Sequence, residues 1–299
     1  MPYPESKIYY DGSHYIAIPH SERPTRRRAK PKADEPIVVD GKETTKKAYF
    51  EELFAQSTGR KMKDVKKEVL EKMGKHFDKP SEAEMFVTSS IMRKKRNMSC
   101  RYTRVFRKAA LQEFNYFCTF TYDPQKMDEV AFRKKLSCTF NHLSNRKGWK
   151  YIGVWERSPQ AKRLHFHGVF YIPDGTLPGT LTPNSGYSFS QYRRHKFLQC
   201  DYFAERFGRN EFDPIDATTD LTHELYYMLK YIEKSGESIV YSRGLPQFFI
   251  SDVMEEDIVC PYGEEEQKFV LFDNFSCYDE GEYKGQVSPE VIAGMRKKN

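Results

Sequence analysis

The chain has 299 residues, enough for one substantial domain and a smaller appendage. No apolar run nears the 18 residues of a membrane-spanning helix, and the N-terminal M-P-Y-P-E-S-K has no apolar leader core, which reads as a soluble protein of the cytoplasm. The net charge of +7 is uneven: residues 1–100 hold 22 Lys+Arg against 15 Asp+Glu, residues 101–230 hold 20 against 13, and residues 231–299 hold 7 against 14. A basic excess of that size suits attraction to phosphates, and it suits ordinary solubility equally well.

Residues 1–40 are polar and Pro-rich and carry Arg26-Arg27-Arg28, so they read as a flexible basic arm that either touches DNA or is simply solvated. Residues 41–99 read as a helical module. Lys46–Gln56 and Lys61–Phe77 space their apolar residues by three and four, and a third helix fits 81–96, closing on Arg93-Lys94-Lys95-Arg96. Such a module reads either as a duplex-recognition element or as a helical cap. Residues 100–250 mix the two periods. Strand-like runs occur at Tyr102–Phe106, Phe114–Tyr122, Trp149–Trp155, Leu164–Ile172 and around 212–217. Helices fit 128–145, 188–207 and 222–234, and Gly175–Gly186 reads as a Gly- and Pro-rich loop. The pattern predicts an α+β fold. Residues 251–299 are acidic and poor in strand pattern, with no role evident from sequence.

The most informative stretch is Arg163–Phe170, R-L-H-F-H-G-V-F. On a strand, His165 and His167 point to one face while Leu164 and Phe166 point to the other. Paired imidazoles on a rigid sheet suit a divalent ion, although two solvated or hydrogen-bonded histidines would have the same pattern. Trp149–Trp155 reads as a strand ending near Glu156, and the polar segment 157–162 with Pro159 reads as a turn. A hairpin with its tip near Gln160 and Ala161 puts Glu156 opposite His165, and two His with one carboxylate suit Mg²⁺ or Mn²⁺. The alternative for Glu156 is an ion pair with Arg157, Lys162 or Arg163.

Sixty residues on, T-H-E-L-Y-Y-M-L-K-Y-I-E-K reads as a helix with Thr222 as N-cap. Tyr227 and Tyr231 share a face, with His223, Lys230 and Lys234 on or beside it, while Tyr226 points about 100° away and reads as packing. A tyrosine hydroxyl beside a cationic amine loses its proton more easily, as a nucleophile needs. His223 reads as a helix-end residue rather than a proton acceptor.

Together these pieces resemble the HUH endonuclease superfamily, in particular rolling-circle replication initiators of phages, plasmids and integrated elements. His165-Phe166-His167 is similar to the family's H-hydrophobic-H motif, Glu156 to its acidic ligand, Tyr227-Met228-Leu229-Lys230-Tyr231 to its Y-x-x-K motif with a second tyrosine, and Phe117–Tyr122 (F-C-T-F-T-Y) to its Thr-rich first strand. The likeness spans about residues 115–245 and looks most like the two-tyrosine branch.

The resemblance implies an antiparallel sheet with flanking helices, similar to the RNA-recognition fold. It implies a Mg²⁺ or Mn²⁺ ion on Glu156, His165 and His167, attack by Tyr227 and then Tyr231 on single-stranded DNA at a replication origin, and a 5′-phosphotyrosine intermediate assisted by Lys230. No G-x-x-x-x-G-K-[ST] occurs, so a separate host helicase and polymerase are expected partners in the cytoplasm of a bacterial host. Six cysteines form no C-x-x-C pair, in keeping with reduced thiols. Conjugative relaxases and single-strand transposases share the nicking chemistry; the order of motifs disfavours the first and the N-terminal module the second. A non-catalytic basic nucleic-acid-binding module with a structural zinc is the third alternative, although such zinc prefers four ligands.

Overall fold

Alternating residues in the middle of the chain give one face of a sheet to an aromatic core and place the histidines and threonines on the other, beside buried Ile152, Val154 and Val169. A computed structural model describes residues 2–20, 36–57, 60–158, 163–188, 193–215, 225, 226, 228, 238–262 and 268–299. The chain divides into two units, one of Met1–His20 with Tyr102–Asn299 and one of Ser21–Arg101. The architecture is α+β with antiparallel sheets. Among the described residues, no helix is long and apolar enough to cross a membrane.

The first unit begins with β1 (Tyr3–Tyr10) and β2 (Tyr15–Ile18). The smaller unit holds the hairpin of β3 (Pro36–Val39) and β4 (Lys42–Thr45), then α1 (Lys46–Gln56) and α2 (Met62–Gly74). Thr45 caps α1 by accepting from the Ala48 amide at 3.1 Å. These helices bury Phe50, Leu53, Val65, Val69 and Met73 with Val87 and Ile91 of α3 (Pro80–Ala109). The strand expected at Tyr102–Phe106 is therefore the last part of a helix. Tyr102, Val105, Phe106 and Ala109 fall at i, i+3, i+4 and i+7, so aromatic and β-branched residues follow a helical stripe there.

A seven-stranded sheet carries the histidine motif. Its strands run β11 (Ile239–Tyr241), β6 (Lys150–Arg157), β7 (Leu164–Tyr171), β5 (Tyr116–Thr121), β10 (Asn210–Pro214), β9 (Arg193–Cys200) and β8 (Leu181–Ser188). Helices α4 (Glu129–Lys147) and α5 (Asp201–Arg206) contribute Phe132, Leu136, Phe140 and Phe203 to a core with Phe120, Trp155, Phe166, Phe170 and Phe212 of the sheet. Phe140 is central, with its ring 5.1–5.2 Å from those of Phe120, Tyr151, Phe166 and Phe170. Gly153 and Gly168 face each other across β6 and β7. A Cβ on Gly153 would lie 2.3 Å from the Phe166 ring, so the aromatic layer needs glycine there. Of the helix expected over 188–207, residues 189–192 lie outside the described residues, and the rest is the end of β8, then β9 and the short α5. The expected loop Gly175–Gly186 likewise runs into β8, which pairs with β9 over eight residues. Tyr, Arg and Phe in that region satisfy either period, and the cross-strand partner decides.

A second, eight-stranded sheet overturns two expectations. Its path is β13 (Ile258–Pro261), β14 (Phe269–Leu271), β2, β1, β12 (Phe248–Val253), β15 (Ser276–Asp279) and β16 (Glu282–Gln286), with β17 (Lys297–Lys298) also on β12. Residues 3–10 and 15–18 of the expected arm are thus strands, and residues 21–35 lie outside the described residues. The acidic 251–299 segment supplies five of the eight strands together with α6 (Pro289–Gly294). Its strands are short and separated by acidic turns, so little alternation is visible, and their apolar partners lie at the other end of the chain. Ile8 and Ala17 pack with Phe249, Val253, Leu271 and Phe275. Buried Asp252 accepts from the Glu5 amide and the Gly281 amide, both at 2.8 Å, and so ties the start of β1 to the β15–β16 turn.

Ile8, fully buried on β1, tests this sheet. Ile8→Ala is expected to cost about 2–5 kcal/mol in urea unfolding. A change within about 0.5 kcal/mol would return residues 1–20 to the role of a dispensable arm.

Candidate metal and phosphate-transfer site

The polar face of the seven-stranded sheet is built from cross-strand rows. Glu156 pairs with His165 in the β6–β7 register, as the hairpin reading required, and His165 pairs with Thr121 of β5. The next row places Val154, His167, Thr119 and Glu211 side by side. Directly opposed residues share a face, so all of these side chains stand opposite the aromatic core. The hairpin tip at 159–162 lies outside the described residues.

Each histidine is held through Nδ1. Thr121 Oγ1 lies 2.7 Å from His165 Nδ1, and Thr119 Oγ1 lies 2.9 Å from His167 Nδ1. The rings are 5.9 Å apart and within 25° of parallel. Fixing one ring nitrogen orients the other, the second-sphere arrangement that metal-ligating histidines ordinarily have. The F-C-T-F-T-Y strand carries that signal in sequence, because two threonines at i and i+2 share the face of the histidines beside them. Its threonines acquire a role only once β5 is known to pair with β7.

Glu156 and His167 are 7% and 9% exposed, and Glu156 Oε2 lies 2.9 Å from His167 Nε2. With Nε2–H donating to Glu156, Thr119 donates its hydroxyl proton to Nδ1. Arg157, one of the partners considered for Glu156, instead pairs through both guanidinium nitrogens with Glu129. Burial, with smaller contributions from the charges of His167, Arg163 and Arg209, lowers the His165 pKa to about 4. Its imidazole is therefore neutral at physiological pH, the form that can donate a lone pair. Among the described residues, no three His, Cys, Asp or Glu groups are gathered as a finished ion site.

Tyr227, Lys230, Tyr231 and His223 lie outside the described residues, so the structure does not bring them to the sheet or separate them from it. Of their neighbours, Leu225, Tyr226 and Met228 are helical; Leu225 and Met228 are buried. Tyr226 is 58% exposed with its ring 5.3 Å from Phe106, so it sits at the surface rather than within a core.

The fold and the face define an α+β protein whose antiparallel sheet presents two oriented imidazoles and a buried carboxylate. Residues 115–236 match the family model of the replication-associated protein ORF2/G2P, a stretch that includes β5, β6, β7 and the tyrosine motif. No curated protein and no solved structure shows significant similarity to the chain.

Because His165 is held neutral by its surroundings, its ring proton resonances in metal-free protein should titrate near pH 4 by NMR. Stability linked to this group is present above the unfolded midpoint near 6.5 and is lost as pH falls through about 4. A midpoint near 6.5 in the folded protein would mean that the ring is solvated.

Proposed function

We propose that the chain is a metal-dependent, site-specific single-stranded DNA nickase and ligase of the HUH type that starts rolling-circle replication at an origin. The observation that carries this reading is the row Glu156–His165–Thr121 beside His167–Thr119, within a segment matching a replication-associated family. As a donor set, two imidazoles with Nδ1 engaged and one carboxylate fit Mg²⁺ or Mn²⁺. Glu156, His165 and His167 would hold the ion, which when bound supplies charge to polarise the scissile phosphate.

The residues of the chain do the rest. Thr119 and Thr121 hold the rings, and Glu156 supplies the carboxylate of the donor set. Tyr227 attacks phosphorus: a tyrosyl O–P bond forms, the P–O3′ bond breaks, and the leaving 3′-oxygen takes up a proton. The 5′-phosphate stays on the tyrosine, so a later 3′-hydroxyl can reverse the step and rejoin strands. Lys230 neutralises charge at the phosphate or eases deprotonation of the tyrosine, and Tyr231 acts as the second nucleophile in the two-tyrosine scheme. A helicase and a polymerase come from the host.

A second reading has an observation of its own. The direct Glu156–His167 bond would serve equally in a nucleic-acid-binding module that holds no ion. Incubation with labelled origin single strand separates the two. A Mn²⁺-dependent covalent adduct, absent with EDTA and lost in Tyr227→Phe, is expected on a denaturing gel. Joining that fails only in Tyr231→Phe would mark the second nucleophile. No adduct from wild type on cleavable DNA leaves the binding module.

Metal affinity gives a separate check. Thr121→Val removes the partner of His165 Nδ1 and should weaken Mn²⁺ binding by about 10–100-fold in calorimetry. Binding must also break the direct Glu156–His167 contact. An unchanged affinity in Thr121→Val would remove the threonine from the site.

A further inference from the structure

The polar face does not end at the histidines. Beyond Thr121 the same row continues to Arg209, whose carbonyl accepts from the Thr121 amide at 2.8 Å, and beyond Thr119 it continues to Glu211. Arg209 is fixed on three sides. Its Nε donates to Glu211 Oε1 at 2.7 Å, and Nη2 lies 2.7 Å from the same oxygen. Its Cζ stands 4.8 Å from the centre of the buried Phe197 ring. Its head lies against Gly186, where a Cβ would come within 2.7 Å of Nη2. Glu211 is itself held from the far side by His195, whose Nε2 is 3.2 Å from Oε2. Buried Asn210 locks β10 to β9 by donating to the Cys200 carbonyl and accepting from the Cys200 amide, at 3.0 and 2.8 Å.

The arrangement is more than an exposed ion pair needs. A surface pair contributes little to stability and orders two long side chains to form. Here a ring, a glycine and a histidine-backed carboxylate hold one guanidinium in a set orientation, yet its side chain remains 41% exposed. Glu211 engages the Nε–Nη2 edge, so the Nη1 side keeps donors for a ligand. A planar fork of this kind suits a phosphate. Arg209 is also near enough to the histidines for its charge to bear on His165.

We infer that Arg209, held by Glu211, Phe197 and Gly186, forms a phosphodiester subsite on β10 that binds the DNA backbone next to the phosphate being cut. The inference rests on the nickase reading for the word "next", but the binding itself does not need the reaction. Arg209 is a positioning residue: it would seat the strand across the sheet, so its loss should appear in binding and KM rather than in kcat.

The test measures binding of labelled oligothymidylate in EDTA across a salt series, and then nicking of origin strand with Mn²⁺. Arg209→Ala is expected to weaken binding about tenfold and to reduce the salt slope by about one, with Arg209→Lys between it and wild type. In nicking, KM should rise by a similar factor with kcat within about threefold. Gly186→Ala keeps every charge but displaces the guanidinium, and it should weaken binding in the same direction. Lys147→Ala removes one positive charge from the exposed end of α4, on the other side of the sheet, and should bind like wild type. If Arg209→Ala and Gly186→Ala both bind like Lys147→Ala, the subsite is refuted. If wild type forms no adduct while Arg209→Ala still loses binding, the nickase reading fails and the subsite stands. If the adduct forms with unchanged KM in Arg209→Ala, the subsite alone fails.

Discussion

The pairing of β7 between β6 and β5 is the constraint on which the site depends. Period-two alternation sends Phe166 and Phe170 into a core of aromatic rings, and the same alternation sends His165 and His167 to the opposite face. A slip of one residue would bury both imidazoles among Phe120, Phe140 and Trp155 and expose the phenylalanines, so the large apolar burial on one face fixes the register of the polar face. The Gly153–Gly168 pair enforces the same register, since only there can the Phe166 ring lie over the neighbouring backbone. Chemistry on one side is positioned by packing on the other, without any contact of its own having to be strong.

Much of this was legible because it is local. The H-x-H alternation, the turn after Glu156 and the amphipathic run of α4 all report on neighbours within about ten to twenty residues, and the Glu156–His165 pairing followed from hairpin geometry alone. The threonine contacts depended on knowing which strand lies beside β7. The Arg209–Glu211–His195 row was less legible still, since β9 and β10 carry mixed polar and aromatic residues that fit a helix as well as a strand. Tyr102–Phe106 was misread for the reason that applies to 188–207: aromatic and β-branched residues favour strands on average, but packing partners decide.

The second sheet was the least legible part, and its connectivity explains why. β1 pairs with β12 so that Lys7 lies opposite Ile250, and no window of sequence contains both. β12, with neither terminus near it in sequence, is flanked by β1 on one side and by β15 and β17 on the other. A sheet whose central pair joins residues about 240 positions apart gains its contacts only after most of the chain is made, and such non-local pairing is slow to form. The seven-stranded sheet draws its strands from residues 116–241 and lacks that dependence. Acidic turns and a Pro-rich start, which read as tails, are therefore the surface of a sheet whose interior comes from both termini.

Charge divides along the same lines as the units. Residues 21–101 hold 22 Lys+Arg against 13 Asp+Glu, whereas residues 1–20 with 102–299 hold 27 against 29. The net +9 of the helical unit exceeds that of the whole chain, and the unit bearing the histidines is slightly acidic. Sequence-independent attraction to a polyanion scales with the cations that meet phosphates, so for the proposed function the helical unit supplies most of the salt-sensitive affinity. The site then cannot rely on a general positive field to hold a phosphate beside Glu156, a buried carboxylate that repels it. Under the proposed function it would need cations placed one at a time: an ion on the histidines, Lys230 of the tyrosine motif, and a guanidinium whose own carboxylate partner orients it. The pairing of Arg209 with Glu211 follows that logic, because it fixes the fork while adding almost nothing to the net charge of the face.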